Sequence, residues 1–191
     1  PGACHVPNTD LYRLPRGMTP DDLAESIRDR ILSNFDKAAQ LPAGPERDRL
    51  LTVTVVGGGF AGIEVFAELR SLASDLIKDY PELNFEDTHF HLIEAMGRIM
   101  PEVSLETSHW VLKNLAERGA QVHLDTQLQS AENGVIQLST GESFESDLII
   151  WTAGVMANPM LRATDFPLDE RGRLRVRADL RVEGDNGVIE C

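Results

Sequence analysis

The chain has 191 residues, 42% of them hydrophobic, which suits one domain with a full core but leaves two full domains cramped. Its 31 acidic residues against 18 lysines and arginines give a formal net charge of −13, which argues against nucleic acid or an anionic membrane as the main partner. The sequence has no run of 18 apolar residues and no basic start followed by an apolar core, so we expect a cytoplasmic chain without a membrane span.

The first 48 residues are predicted to form a flank that contains one helix. Prolines and glycines interrupt any periodicity in residues 1–18, which suggests a segment that needs a partner surface. Thr19 then provides an N-cap ahead of a proline and two acids. An apolar residue recurs every four positions from there, which predicts an amphipathic helix over 20–39. These apolar residues are Leu23, Ile27, Ile31 and Phe35.

Residues 51–70 carry the strongest functional signal. A β-branched run ends in glycines and is followed by apolar residues at helical spacing, which is typical of a dinucleotide-binding strand–turn–helix corner. In the G-x-G-x-x-G spacing, Gly57 allows a tight turn, Gly59 allows a pyrophosphate to approach the backbone, and Gly62 lets the helix pack on the strand. The backbone amides and the helix N-terminus would then face the phosphates. The candidate contacts are Gly57, Gly58, Gly59, Phe60, Ala61 and Gly62, and the alternative is a glycine turn that binds nothing.

The next predicted strand, 89–94, ends in an acidic residue. Glu94, with Ala95 beside it, is placed to accept hydrogen bonds from the hydroxyls of an adenosine ribose. A carboxylate there favours the free 2′-hydroxyl of NAD and repels the 2′-phosphate of NADP. Glu94 lies further from Gly62 than the usual spacing of about 20 residues, which we attribute to a surface insertion at 75–88. The alternative is a solvated acid at a strand end.

The rest of the chain extends the same architecture. A helix over 104–118 and a strand over 121–124 complete a βαβαβ unit of parallel strands. A buried strand over 147–151 leads into a small-residue turn, where backbone can approach a ligand. Short alternating runs at 127–131, 134–139 and 142–145 predict an antiparallel meander in place of a helix. The predicted fold class is α/β, a Rossmann-like parallel sheet with helices and an antiparallel β-meander crossover.

No metal or redox-active disulfide site is expected. Cys4 and Cys191 are the only cysteines and stand at opposite ends of the sequence. The five histidines are scattered. His89 and His91 alternate on one strand face, without an acidic or cysteine partner at ligand spacing.

Four segments resemble the NADH-binding domain of flavoproteins with two dinucleotide-binding domains, and most of all type II NADH:quinone oxidoreductases. In that family the domain passes a hydride from NADH to an FAD held by a second domain, which then reduces a membrane quinone. The resemblance implies that Ala153 and Gly154 lie near the nicotinamide. It also implies that Glu64 faces the nicotinamide as a catalytic and cofactor-binding acid; the other interpretation is an acid stabilised by the helix dipole. The matching segments are 55–64, 92–101, 118–124 and 147–159.

The family's other motifs are not found in this sequence. Residues 1–48 contain no glycine fingerprint for FAD, and the later Gly-Asp motif that holds the flavin in the family would begin at about Cys191, where the sequence ends. We therefore expect an NADH-binding domain at 49–158, between flanks at 1–48 and 159–191 that lead toward a missing flavin domain. It would bind NADH without turnover, since FAD belongs to the full-length protein and is not expected here. Quinone and the cytoplasmic face of the membrane would be reached only through absent segments.

Two other functions stay open. The first is the NAD domain of another FAD-dependent reductase, although the cysteine pair of the disulfide-reducing type is missing. The second is a non-catalytic NAD(H)-responsive binding module, in which nucleotide occupancy alters an interaction made by residues 1–48 or 160–191. In that case the apolar face of the helix at 20–39 would be a partner surface.

Overall fold

The computed structural model describes residues 4–5, 19–154 and 157–183. Its helices are Pro20–Ala38 (α1), Pro45–Leu50 (α2), Phe60–Leu76 (α3) and Leu105–Glu117 (α4). Its strands are Cys4–His5 (β1), Thr52–Val56 (β2), His89–Ile93 (β3), Gln121–His123 (β4), Leu128–Ser130 (β5), Val135–Leu138 (β6), Ser143–Glu145 (β7) and Leu148–Trp151 (β8). Short 3₁₀ helices span Ile77–Asp79, Phe85–Asp87, Glu132–Gly134 and Pro159–Ala163.

The strands form two sheets, as predicted. The larger sheet is parallel, with the order β1-β8-β2-β3-β4, and the smaller is antiparallel, with the order β5-β6-β7. All five residues of β2 are buried, because neighbours cover both edges and both faces of this strand. Val56 is in register with Ile93 of β3 and with Trp151 of β8. The carboxyl ends of the three central strands are therefore level with each other.

Helix α1 confirms the prediction at 20–39 and explains its apolar face. Thr19 and Asp22 form a capping box at its start. Leu23, Ile31 and Phe35 are buried in the same core as the sheet. The interpretation of this face as a partner surface is therefore wrong, since the face packs within its own domain.

The segment 75–88 is more than the surface insertion that the sequence suggested. Leu83 is buried in the main core, and the Tyr80 ring packs against Phe35 with the two centroids 5.7 Å apart. Asp87 forms an ion pair with Arg47, which is itself largely buried in α2. The apolar residues scattered among its charges make this segment part of the packing around α1 and α2.

The described residues divide into two compact units at Ala153 and Gly154. Within the second unit, Leu168 pairs with Leu174 and Val176 with Val182 in isolated antiparallel bridges. The boundaries predicted at 48 and 158 stay predictions. Among the helices that the structure describes, none is long and apolar enough to span a bilayer.

An ion pair ties α1 to the start of β8. Asp147, whose side chain is only 9% exposed, lies 2.7 Å from Nη2 of Arg30, measured from its Oδ2. The Asp147 amide donates to the carbonyl of Arg49, 3.1 Å away, at the end of α2. Its Oδ1 also lies 3.9 Å from Nη2 of Arg49, so Asp147 connects both α1 and α2 to the sheet.

We expect Asp147→Asn to destabilise the fold by about 1–3 kcal/mol, because it leaves a partly buried guanidinium without its counter-charge. Urea unfolding followed by circular dichroism measures the free energy. Asp75→Asn is the matched control: Asp75 pairs with Lys78 and both side chains are about 70% exposed, so a change below about 0.5 kcal/mol is expected. Equal effects of the two substitutions would contradict the structural role of Asp147.

A stack of aromatic rings joins the two sheets. The buried His91 ring of β3 lies 3.8 Å, centroid to centroid, from Phe144 of β7. Its Nδ1 lies 3.0 Å from Nε2 of His123 on β4. Burial, followed by the charges of His123 and His89, lowers the pKa of His91 to about 4 from its usual 6.5. The stack is therefore built on a neutral His91.

Stability is expected to fall in acid through His91. The unfolded chain takes up a proton at this residue as the pH falls through about 6.5, whereas the folded chain does so only near 4, so the free energy of unfolding decreases across that window. The loss attributable to His91 is about 2 kcal/mol by pH 5.

Chemical unfolding at a series of pH values tests this expectation. His91→Asn should lower the proton uptake on unfolding at pH 5–6 by about one proton. His109→Asn, on the exposed surface of α4, is the control for the loss of a histidine outside the stack. If His91→Asn left the pH dependence of stability unaltered, the loss of stability in acid could not be assigned to His91.

Candidate functional site

The glycine corner connects β2 to α3. Gly57 has a φ of +112°, and its amide continues the sheet by donating to the carbonyl of Ile93 at 2.8 Å. Gly59 is the N-cap residue of α3 and offers no side-chain acceptor, whereas Thr19 and Ser104 cap α1 and α4 with their hydroxyls. The first turn of α3 also has no acidic residue. Its amides are therefore left for an external anion.

The three glycines of the motif serve different purposes in the structure. A Cβ on Gly62 would lie 1.8 Å from the carbonyl oxygen of Gly57, so the helix can approach the turn only without a side chain there. A Cβ on Gly57 would lie 2.7 Å from Oγ1 of Thr152 and 2.8 Å from the amide of Ala153. A Cβ on Gly59 would have no atom within 4 Å. Gly57 and Gly62 are required by the fold, whereas Gly59 keeps the backbone open to a ligand.

Thr152 is a site residue whose contacts the sequence did not predict. Its amide donates to the carbonyl of Val56 at 2.8 Å. Its hydroxyl lies 3.0 Å from the same oxygen and 3.2 Å from the carbonyl of Gly57, close enough to donate to either. Thr152 thereby fastens the end of β8 to the glycine turn. The sequence showed only a small residue after a buried strand.

Glu94 has a role in the fold in addition to its predicted role in binding. Its Oε2 accepts from the amide of Gly58 at 2.6 Å, and its Oε1 accepts from the amide of Met96 at 2.8 Å. Each carboxylate oxygen has two lone pairs, so the group can still accept from a ligand hydroxyl. A Cβ on Gly58 would lie 2.8 Å from Cγ2 of Ile99 and 3.1 Å from Oε2 of Glu94. The G-x-G-x-x-G spacing allows any residue at position 58, and this crowding explains why a glycine stands there.

A cleft of about 240 Å³ runs along the carboxyl ends of β8, β2 and β3. In open α/β sheets, ligands bind at this edge. Trp151 lines the cleft with 41% of its surface exposed, and its Nε1 donates to the carbonyl of Ala153 at 2.6 Å. The lining residues are Val56, Gly57, Ile93, Glu94, Ala95, Thr126, Gln127, Leu128, Trp151 and Ala153. The structure therefore brings four predicted site residues together: Gly57, Glu94, Ala95 and Ala153.

The other predicted residues lie around or away from this cleft. Phe60 and Ala61 are exposed in the first turn of α3. Glu64 is exposed one turn further along and does not line the cleft. Gly154, with a φ of +84°, is the first residue of the second compact unit.

Arg98, which follows Glu94 by four residues, is occupied by the loop that contains it. Its Nη2 donates to the carbonyls of Val103 at 2.6 Å and Met100 at 3.2 Å. The guanidinium therefore organises this loop.

A second cleft, of about 300 Å³, lies at the opposite ends of the strands. It contains none of the predicted site residues and mixes acidic with basic side chains. Its lining residues are Pro45, Asp48, Arg49, Thr52, His89, His91, Phe144 and Glu145. The glycine corner and its uncapped helix stand at the other edge, so we assign the candidate site there.

Comparison with known proteins supports a nucleotide-binding flavoenzyme architecture. The profile of the family described as pyridine nucleotide-disulphide oxidoreductase matches residues 17–189. A probable NADH dehydrogenase from Dictyostelium discoideum is 29% identical over 169 residues, which are 87% of this chain and 37% of that protein. The type II NADH:quinone oxidoreductase Ndh of Mycobacterium tuberculosis is 26% identical over 197 residues, which are 98% of this chain and 42% of that protein.

Among solved structures, NDH2 from Plasmodium falciparum in complex with NADH has a TM-score of 0.70. The sequence identity is 22%, and the match covers 88% of this chain and 36% of that one. At this level of sequence identity, the similarity between the two structures is one of fold. The chain spans less than half the length of the curated relatives it matches.

Alanine substitutions should distinguish a glycine that the fold requires, Gly62, from Gly59, which has open space around it. Gly62→Ala places a methyl group on a backbone carbonyl, so we expect it to destabilise the fold by about 3 kcal/mol or more. Gly59→Ala has open space and a φ of −74°, so we expect a loss below about 1 kcal/mol. Thermal unfolding measures both, and a Gly59→Ala variant as unstable as Gly62→Ala would contradict this division.

Proposed function

The chain belongs to the pyridine nucleotide-disulphide oxidoreductase family, and we propose that it is the NADH-binding domain of a type II NADH:quinone oxidoreductase. The proposal rests on one observation. The open Gly59 and the uncapped start of α3 lie at the sheet edge where the carboxylate of Glu94 borders a cleft. An anion site beside a hydrogen-bond acceptor is what a dinucleotide needs for its pyrophosphate and its ribose.

The proposed roles follow from the chemistry of each group. The amides around Gly59, Phe60 and Ala61 bind the pyrophosphate, helped by the partial positive charge at the start of α3. Glu94 accepts hydrogen bonds from the adenosine ribose, and Ala95 borders that ribose. The nicotinamide end extends toward Ala153 and Gly154, as the family resemblance implies.

Glu94 should also set the preference between the two nicotinamide cofactors. Its carboxylate oxygens already accept two backbone amides, so the side chain is oriented before a ligand arrives. A carboxylate held in this way accepts the 2′-hydroxyl of NADH and repels the 2′-phosphate of NADPH. We therefore propose NADH as the substrate.

The hydride acceptor lies outside the residues of this site. FAD, when bound, supplies an acceptor for the hydride, and no side chain of the site performs that chemistry. We propose that another domain of the same protein holds the flavin, so that this chain binds NADH without turnover. Residues 49–158 would form the NADH-binding domain, and residues 1–48 and 159–191 would lead toward the flavin domain. Quinone and the cytoplasmic face of the membrane would be reached through other segments.

Glu64 is proposed to position the nicotinamide or relay a proton. Its exposure on α3 leaves the carboxylate available to a ligand or a neighbouring domain. Within the described part of the chain, no hydrogen bond or ion pair involves the Glu64 side chain.

Calorimetric titration of this chain with NADH and with NADPH tests the proposal. We expect NADH to bind at least about tenfold more tightly than NADPH, because Glu94 disfavours the extra phosphate. Gly59→Ala should weaken NADH binding by about tenfold while the protein stays folded, because its methyl group blocks the approach of the pyrophosphate.

Two substitutions on α3 provide the controls. Glu68→Gln removes an exposed acid one turn beyond Glu64 and should leave NADH affinity within about twofold of the unaltered chain. Glu64→Gln should differ from this control if the nicotinamide lies against it. The proposal fails if neither nucleotide binds, or if Gly59→Ala binds NADH as tightly as the unaltered chain.

A further inference from the structure

The loop after β4 is fastened to the loop after β3. The amide of Glu94 donates to the carbonyl of His123 at 2.9 Å. In return, the amide of Thr126 donates to the carbonyl of Glu94 at 3.0 Å, and the amide of Asp125 donates to the carbonyl of Met96 at 3.1 Å. Backbone hydrogen bonds therefore fix the position of Asp125 relative to Glu94.

The carboxylate of Asp125 lies against the turn that follows Glu94. A Cβ on Gly97 would lie 3.1 Å from Oδ1 and 3.2 Å from Oδ2 of Asp125. Glu94 accepts from the amide of Met96, the residue before Gly97. Met96 therefore binds the Glu94 carboxylate, and the absence of a side chain on the neighbouring Gly97 leaves room for the Asp125 carboxylate. Asp125 has a φ of +50°, a left-handed conformation that Asp and Asn adopt more readily than most residues.

No cation balances these two carboxylates within the described part of the chain. Neither Glu94 nor Asp125 belongs to any of the ion pairs found there. Arg98 is the arginine nearest to Glu94 in sequence, and its guanidinium binds the carbonyls of Met100 and Val103. Each of these acids adjoins residues of the cleft in sequence: Ala95 follows Glu94, which lines the cleft itself, and Thr126 and Gln127 follow Asp125.

We propose that Asp125 is a second specificity determinant of the nucleotide site, one that disfavours NADPH without contributing to NADH binding. The inference rests on the proposed function, because it takes the adenosine ribose to lie at Glu94. NADPH differs from NADH by a 2′-phosphate, a group that carries up to two negative charges at pH 7. A fixed carboxylate within a Debye length, about 8–10 Å, repels such a group, whereas it has little effect on a neutral hydroxyl.

Asp125 offers a cleaner test of charge than Glu94. Replacing Glu94 removes an acceptor of two backbone amides, so it alters the fold as well as the site. No hydrogen bond to the Asp125 side chain is found among the described residues. Asp125→Asn removes the charge, keeps the shape and preserves a residue type that tolerates the left-handed backbone.

The experiment is a titration of NADH and NADPH into Asp125→Asn at about 20 mM and about 500 mM salt. We expect NADPH affinity to rise by about threefold to tenfold at low salt and NADH affinity to stay within about twofold. The gain for NADPH should shrink at high salt, because it is electrostatic. Glu25→Gln, on the exposed surface of α1, is the control for an equal change in net charge.

The outcomes separate this inference from the proposed function. If Asp125→Asn binds NADH normally and gains nothing for NADPH, Asp125 is no determinant and the proposed function stands. An equal gain in Glu25→Gln would assign the effect to net charge and overturn the inference as well. If the unaltered chain binds no NADH at all, the proposed function falls and this inference falls with it.

Discussion

The arrangement of the site depends on how closely α3 approaches the end of β2. The carbonyl oxygen of Gly57 occupies the space that a side chain on Gly62 would need. The hydroxyl of Thr152 lies within hydrogen-bond distance of the carbonyls of Val56 and Gly57 and donates to one of them. This contact brings the first turn of the helix over the level ends of the central strands. A looser packing would move the helix dipole away from the cleft, where its partial charge falls off within a turn.

The loops around this contact are held by backbone groups. Glu94 accepts from the amide of Gly58, and the carbonyl of Gly58 accepts from Met100 at 2.7 Å. Arg98 and the buried hydroxyl of Ser108 bind further carbonyls of the same loop. Such a network orders the site before ligand arrives, which lowers the conformational entropy lost on binding. The same network makes Glu94 a poor residue for isolating the contribution of binding, since the loop depends on it.

The sequence was sufficient where local signals coincide. Strand, glycine turn and helix follow one another within 20 residues, so the corner and the fold class could be predicted from the sequence. The meander could be predicted in the same way, because its short alternating runs are neighbours along the chain. Contacts between residues that are distant in the sequence could not be predicted from it. Thr152 meets Gly57 across 95 positions, and His91 stacks on Phe144 although nothing in either segment indicates the other. Short elements were missed for another reason: α2 has six residues, which is too few to show a helical period.

The pairing of β2 with β8 has a consequence for how the chain folds. It joins Val53 to Leu148, so the middle of the parallel sheet closes only after almost a hundred intervening residues are available. Pairings of such high contact order form slowly. The meander is made of neighbouring strands and can form early, while β2 waits with one edge unpaired. An unpaired strand edge, on a strand made of valines and threonines, is a template for aggregation. During synthesis, the chain is therefore most vulnerable until Trp151 has left the ribosome.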